Sequence, residues 1–192
     1  RETQGLGGQS FWISGPSGVG KTTIAKLIAG EIADDWFTRE MDAGEVTANE
    51  LREIERGLQL TALGKGGRAL IINEAHGLRP DVIRLMLVVL ERLRGHVVVI
   101  FTTTTAGEAE LMSRSMDWRA LLSRCVDIRL NQTIDGGPKR LQKIAKSIKL
   151  DAHATLRNCE YLLNEHEHNM RAAIQAVGSG ILNREFNPSQ LW

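Results

Sequence analysis

Gly15-Pro16-Ser17-Gly18-Val19-Gly20-Lys21-Thr22 is the stretch that decides the fold. Its glycines let the backbone wrap closely, so that several N–H groups can converge on one anion. Phe11–Ser14 before it reads as a short strand, and Thr22–Asp34 after it carries Ile24, Leu27, Ile28 and Ile32 at helical spacing. A glycine-rich turn between a strand and a helix sets the positive end of the helix against bound phosphate. The pattern G-x-x-x-x-G-K-[ST] therefore marks a phosphate cradle in which Lys21 reaches the β- and γ-phosphates and the Thr22 hydroxyl coordinates Mg²⁺. Residues Gly15, Pro16, Ser17, Gly18, Val19, Gly20, Lys21, Thr22 and Thr23 form the expected binding set, with ATP and Mg²⁺ as its ligands.

Outward from this loop, apolar bursts alternate with helical patterns. Trp36–Met41 is a weak strand candidate. Thr47 with Glu50 three residues on is a capping box, and it opens a helix whose face is Leu51, Ile54 and Leu58. Ala69–Asn73 and Val97–Phe101 are buried-strand patterns, Pro80 opens a helix running to about Arg94, and Val126–Leu130 is a further strand. Strands alternating with helices predict a parallel sheet covered on both faces. After Asn131 the pattern changes. Asp135-Gly136-Gly137-Pro138 is a turn or linker signal, and Leu141–Ile148, Leu156–Leu163 and Met170–Ile181 all read as helix. The expected division is an α/β nucleotide-binding core over residues 1–132 and a small helical domain over 133–192.

Composition excludes several classes. With 192 residues, 42% hydrophobic and 24% charged, the chain is an ordinary globular protein. A net charge of +1 gives no global field to recruit nucleic acid. Cys125 and Cys159 form neither a C-x-x-C pair nor a disulfide framework and are expected to be reduced. Apolar runs such as Leu85–Leu90 fall far short of the roughly 20 residues that a membrane helix needs. No secretory signal pattern opens the sequence, so a cytoplasmic location is expected. The first residue is Arg1 rather than Met, which points to a fragment or a trimmed chain.

A second constellation, Ala69-Leu70-Ile71-Ile72-Asn73-Glu74-Ala75-His76, ends a buried strand with polar residues. Glu74 fits the role of orienting an attacking water. Asn73 stands where an aspartate near Mg²⁺ is usual; its amide can accept a hydrogen bond from a metal-bound water but adds no charge. Slower turnover and weaker Mg²⁺ retention follow. His76 has no partner identifiable in the sequence.

With both motifs in place, residues 10 to 185 resemble the AAA+ ATPases, and most closely the clamp-loader branch. Met41-Asp42-Ala43 ends a strand as in that branch, and Thr102-Thr103-Thr104-Thr105 follows Val97–Phe101 where the family places its sensor 1. Leu122-Ser123-Arg124-Cys125 is similar to the Ser-Arg-Cys motif, and Asn169-Met170-Arg171-Ala172-Ala173 is similar to the sensor 2 segment. The resemblance implies a P-loop NTPase fold, with a three-layer parallel-sheet core followed by an all-helical lid. It implies an ATPase with Glu74, Thr104, Arg124 and Arg171 as catalytic residues. Counting from the strand favours Thr104 over Thr103 as sensor 1. It further implies a homo- or hetero-oligomer in which Arg124 acts in trans on the next subunit, with DNA and a sliding clamp as partners. Arg79, Arg84, Arg92 and Arg94 are the candidate DNA-backbone contacts; as plain residues they read equally as a solvated helix face. The family's N-terminal segment around the adenine and the clamp loader's collar have no counterpart here, which again suggests a piece of a longer protein or a relative from a mobile element or virus. Two other readings stay open. Gly15–Lys21 also resembles the phosphate loop of nucleotide kinases, and Asn73 is compatible with a scaffold that binds nucleotide without hydrolysing it.

Overall fold

The computed structural model describes residues 5–114, 117–131, 136–147 and 155–179. The chain divides into two compact units. One holds the strands up to Leu130, and the other holds the helices after Asn131 together with residues Pro16–Gly20.

The first unit is built on five parallel strands, β1 (Gln9–Ser14), β2 (Thr38–Asp42), β3 (Arg68–Asn73), β4 (Val97–Thr103) and β5 (Val126–Arg129), in the order β2-β3-β4-β1-β5. Ser14 lies opposite Thr103, and Asp42 lies opposite Asn73, so the polar residues that end each strand gather along one edge. The central strands are apolar on both faces because helices cover both. On one face, α1 (Lys21–Ile32) packs Ala25, Ala29 and Ile32 against Ile13, Ile71 and Ile100. On the other, α2 (Ala48–Leu58), α3 (Pro80–Glu91), α4 (Thr105–Arg114) and α5 (Asp117–Leu122) enclose Trp12, Leu70, Ile72, Val99 and Phe101. This is the three-layer arrangement the sequence predicts.

Details differ from the expectation in instructive ways. Leu27 is 65% exposed, while Ala25 and Ala29 form the buried stripe of α1, because small residues let the helix approach the sheet closely. Trp36 sits in a one-turn helix before β2 and is 95% exposed rather than part of the strand. The capping box at Thr47 is half made. The Thr47 hydroxyl accepts from Glu50 N at 3.2 Å, but the Glu50 carboxylate pairs with Arg39 instead. α3 ends at Glu91, three residues before the expected Arg94. β4 runs on to Thr103 and absorbs half of the threonine run. α4 and α5 were not foreseen, since few of their residues are buried apolar ones and the helical period is faint; Leu111, Trp118 and Leu121 are their anchors.

The second unit packs α6 (Gly137–Ser147), α7 (Leu156–Glu165) and α8 (Met170–Gly178) around Leu141, Ala145, Cys159, Leu162, Leu163, Ala173 and Val177. Gly137 and Pro138 open α6 rather than form a turn, as a proline tolerates the first helical positions. Asp135, Ile148 and Ile181, also part of the expected pattern, lie outside the described residues. Among the described residues no helix is long and apolar enough to cross a membrane.

Candidate nucleotide site

The loop between β1 and α1 has the backbone that its glycines predict. Gly15 has φ +155°, and a Cβ there would lie 2.5 Å from the Leu130 carbonyl oxygen, so no other residue fits. Gly18 and Gly20 also take positive φ, +77° and +100°. Lys21 is only 8% exposed, and its Nζ donates to the Gly15 carbonyl at 3.0 Å. A buried ammonium is costly unless its charge is met. Thr22 lies half-buried in the first turn of α1, and Thr23 is exposed.

At the neighbouring strand ends, neutral and charged groups interlock. Asn73 Nδ2 donates to Glu40 Oε1 at 2.8 Å, and Thr102 Oγ1 donates to Asn73 Oδ1 at 2.9 Å. Lys26 Nζ lies 2.8 Å from Glu40 Oε2. The Lys26 ammonium holds the Glu40 carboxyl below its ordinary pKa; partial burial opposes this, and the Asn73 amide assists it. Glu74 has φ 51° and ψ 46°, a left-handed backbone that a non-glycine residue enters at a cost of about 1–3 kcal/mol. Its carboxylate is half-exposed and lies 3.5 Å from His76 Nδ1. His76 does have a partner, contrary to the sequence reading: Nδ1 is 3.1 Å from the buried Thr103 hydroxyl. The imidazole rests on Gly107, where a Cβ would approach Nδ1 to 2.3 Å. Thr104 Oγ1 accepts from Gly107 N at 3.0 Å and so caps α4. Each of the three threonines thus has its own partner: Thr102 holds Asn73, Thr103 meets His76, and Thr104 caps the helix.

Oxygen donors, here the Thr22 hydroxyl and the Asn73 amide oxygen, are the type that suits Mg²⁺. Asn73 Oδ1 accepts one bond from Thr102 and keeps a second lone pair for a metal-bound water. The residues therefore fit a Mg²⁺ that arrives with phosphate, although no acid stands at position 73.

Arg124 lies at the opposite edge. Its carbonyl accepts from Ser10 Oγ at 2.6 Å near the start of β1, whereas the phosphate loop follows the end of that strand at Ser14. Its guanidinium donates to Ala120 O and pairs with Glu91 at the end of α3. The expected DNA-contacting arginines do not gather in one place. Arg79 immediately precedes α3 and Arg84 pairs with Asp117 at 2.9 Å, while Arg92 and Arg94 follow its far end, roughly 18 Å along a helix of 12 residues. Arg94 Nε donates to Gln59 Oε1 at 2.6 Å. In the second unit, Asn169 caps α8 by accepting from Ala172 N at 3.1 Å, and Arg171 is exposed on its first turn.

Sequence reasoning missed Glu40, Thr102 and Gly107. Only the two-residue alternation of β2, β3 and β4 could have found the first two, by placing positions 40, 73 and 102 on the face that α1 covers.

Comparisons with known proteins agree with this geometry. The profile of the ATPase family associated with various cellular activities (AAA) matches residues 11–130. The chain is 27% identical over 151 residues to the Holliday junction branch migration complex subunit RuvB of Mycoplasma genitalium, covering 78% of this chain and 41% of that protein. It is 33% identical over 85 residues to the RuvB subunit of Mycoplasma pneumoniae, covering 44% of this chain and 25% of that one. It thus spans less than half the length of these relatives. Among solved structures, the Thermotoga maritima RuvB Holliday junction branch migration motor superposes with a TM-score of 0.62 at 22% identity, over 88% of this chain and 52% of that one. A Thermotoga maritima DNA polymerase III gamma subunit-related protein superposes with a TM-score of 0.60 at 11% identity, over 88% of this chain and 55% of that one. A glycine loop holding a buried lysine, a polar strand end beside it and a profile match across the whole sheet lead to one conclusion: the chain belongs to the AAA family of ATPases.

Proposed function

We propose that this chain binds Mg²⁺-ATP at the β1–α1 loop and hydrolyses it as one subunit of an assembly that works on DNA. The observation that carries the reading is Lys21, buried at the start of α1 and bonded to the Gly15 carbonyl at the mouth of a glycine loop. In this reading the loop amides and Lys21 grip the phosphates, with Thr22 and Asn73 as the residues that hold Mg²⁺, Asn73 through water. A bound Mg²⁺ would bridge the phosphate oxygens and neutralise their developing charge. Glu74 orients the attacking water and Thr104 steadies it; the helical segment acts as a lid on which Arg171 senses the γ-phosphate. Arg124 serves the neighbouring subunit, because β1 separates it from its own loop by roughly 13 Å, four residue rises of a strand.

The DNA assignment draws on the printed function of the RuvB relatives, and branch migration is the form of work we favour. Clamp loading, the reading first suggested by Ser123-Arg124-Cys125 and Asn169-Met170-Arg171, draws further support from the likeness to the polymerase III gamma-related structure. Phosphate release measured alone, with a four-way DNA junction and with a primed template separates the two. Stimulation by the junction supports branch migration, stimulation by the primed template alone supports clamp loading, and no response to either removes DNA. Lys21→Ala should lower nucleotide affinity at least about tenfold, since a hydrogen bond to a charged group is worth roughly 1.5–3 kcal/mol. Unchanged affinity in that variant would remove the nucleotide site.

A further inference from the structure

Four polar side chains form a row on the face of the sheet that α1 covers, one from each of four elements. Lys26 of α1 meets Glu40 of β2 at 2.8 Å, Glu40 accepts from Asn73 of β3 at 2.8 Å, and Asn73 accepts from Thr102 of β4 at 2.9 Å. The row has a direction. A carboxylate only accepts and an ammonium only donates, whereas a hydroxyl does both. Thr102 could therefore bond to either end of the Asn73 amide, and only Glu40 decides which end it meets. The amide must turn its NH₂ group to Glu40, which leaves Oδ1 as the acceptor. A hydrogen bond from an amide to a carboxylate also polarises the amide and increases the negative character of its oxygen.

We propose that Glu40 is a positioning residue that acts through Asn73, holding Oδ1 as the acceptor for a water on the nucleotide's Mg²⁺ and restoring part of the negative character that an aspartate would give. The inference rests on the nucleotide reading above. It also accounts for the absence of an acid at position 73. An aspartate there would stand within hydrogen-bond reach of Glu40, and two carboxylates sharing one site oppose each other's ionisation. Glu40 and an acid at 73 are thus alternatives, one charge placed on either of two adjacent strands. Lys26 balances that charge on the side away from the amide, so the row ends on an exposed cation.

The test compares the parent with Glu40→Gln, Asn73→Asp and the double variant. A fluorescent ATP analogue is titrated in Mg²⁺ and again in EDTA, and thermal unfolding without nucleotide is followed in parallel. Glu40 is one-third exposed, so its replacement leaves the core intact. Glu40→Gln should cut the affinity gained from Mg²⁺ by about tenfold, the lower end of what partners of metal ligands contribute, and leave the affinity in EDTA unchanged. Asn73→Asp alone should gain nothing over the parent. Adding Glu40→Gln to it should raise the Mg²⁺-dependent gain by about tenfold again. A parent-like Mg²⁺ response in Glu40→Gln overturns the assignment. So does a double variant no better than Asn73→Asp, or an equal loss in Mg²⁺ and EDTA, which would mark a purely structural contact. Lys21→Ala separates the two levels. If it leaves affinity intact, the nucleotide site falls and this inference with it. If it weakens binding while Glu40→Gln keeps the parent's Mg²⁺ gain, only Glu40 falls.

Discussion

The two edges of the sheet are built from different materials. Where the strands end, Asn73 is hydrogen-bonded to Thr102 and His76 to Thr103, with Thr102 and Thr103 almost wholly buried. Where they begin, Arg124 with Glu91 and Arg94 with Gln59 are exposed partners at the surface. Shielded, directional bonds fix orientation, and losing one strands a buried polar group at a cost of about 1–3 kcal/mol. Exposed ion pairs are worth about 0–1 kcal/mol and exchange partners at little cost. One edge therefore keeps a geometry, and the other can give up a partner for a better one. If the active site is completed by the next copy, as proposed above, each subunit needs both properties, on opposite sides.

The largest effect that could break this comparison belongs to Arg124. If it completes a neighbour's site, Arg124→Ala should slow hydrolysis by about 10³–10⁵, the range of arginines that act in trans on phosphoryl transfer. Mixing Arg124→Ala with Lys21→Ala should partly restore turnover, because one intact site can form between two defective chains. Silence in a stably mixed oligomer would leave the strand-beginning edge as plain surface.

Glu74 comes next. If Glu74 orients the attacking water, Glu74→Asn removes that carboxylate, and single-turnover hydrolysis should fall by about 10²–10⁴. Stability should hold or rise by several tenths of a kcal/mol, because asparagine enters the left-handed region more readily than glutamate. A urea midpoint that moves down together with the rate would show that no backbone strain is stored at φ 51°.

What was legible in the sequence follows the same division. The phosphate loop could be read because its chemistry needs glycines and a lysine at fixed spacing, and β3 and β4 because a strand covered on both faces must be apolar throughout. The layered parallel sheet followed from those elements. Glu40 was invisible because its partner lies 33 residues away and the two meet only across strands. Periodicity could not show that Ala25 and Ala29 join Ile32 against the sheet in α1 while Leu27 stays exposed, since close approach is a property of the packed pair. α4 and α5 escaped for lack of a strong apolar stripe. The roles of Arg124 and Arg171 came from motif likeness alone. Geometry adds to the first that it stands at the far end of β1, and to the second that it is exposed on the first turn of α8.

Gly107 offers a smaller, sharper probe of the edge that keeps its geometry. Gly107→Ala should gain about 1 kcal/mol of helix propensity but lose about 1–3 kcal/mol by pushing His76 off Thr103. A net loss is expected, whereas Gly57→Ala, where a Cβ meets nothing within 4 Å, should show only a gain of about 0.5–1 kcal/mol. Chemical denaturation of both variants makes the comparison. Equal gains would mean that His76 is not held at this edge.

The smallest expected effect is at Glu91. The Arg124–Glu91 pair joins side chains 34% and 58% exposed, so Glu91→Gln should cost the isolated chain less than about 1 kcal/mol. Its consequence should appear instead in assembly. If Arg124 acts in trans, the loss of the carboxylate means that it no longer has to leave a partner before reaching a phosphate, so the protein concentration that gives half-maximal hydrolysis should fall by up to about fivefold, the equivalent of 1 kcal/mol. The maximal rate should stay put, because the finished site is the same. A lower maximal rate would place Glu91 within the working site, and an unchanged concentration dependence would mean that Arg124 leaves Glu91 at no measurable cost. Either result would redraw the division between an edge that keeps its bonds and one that exchanges them.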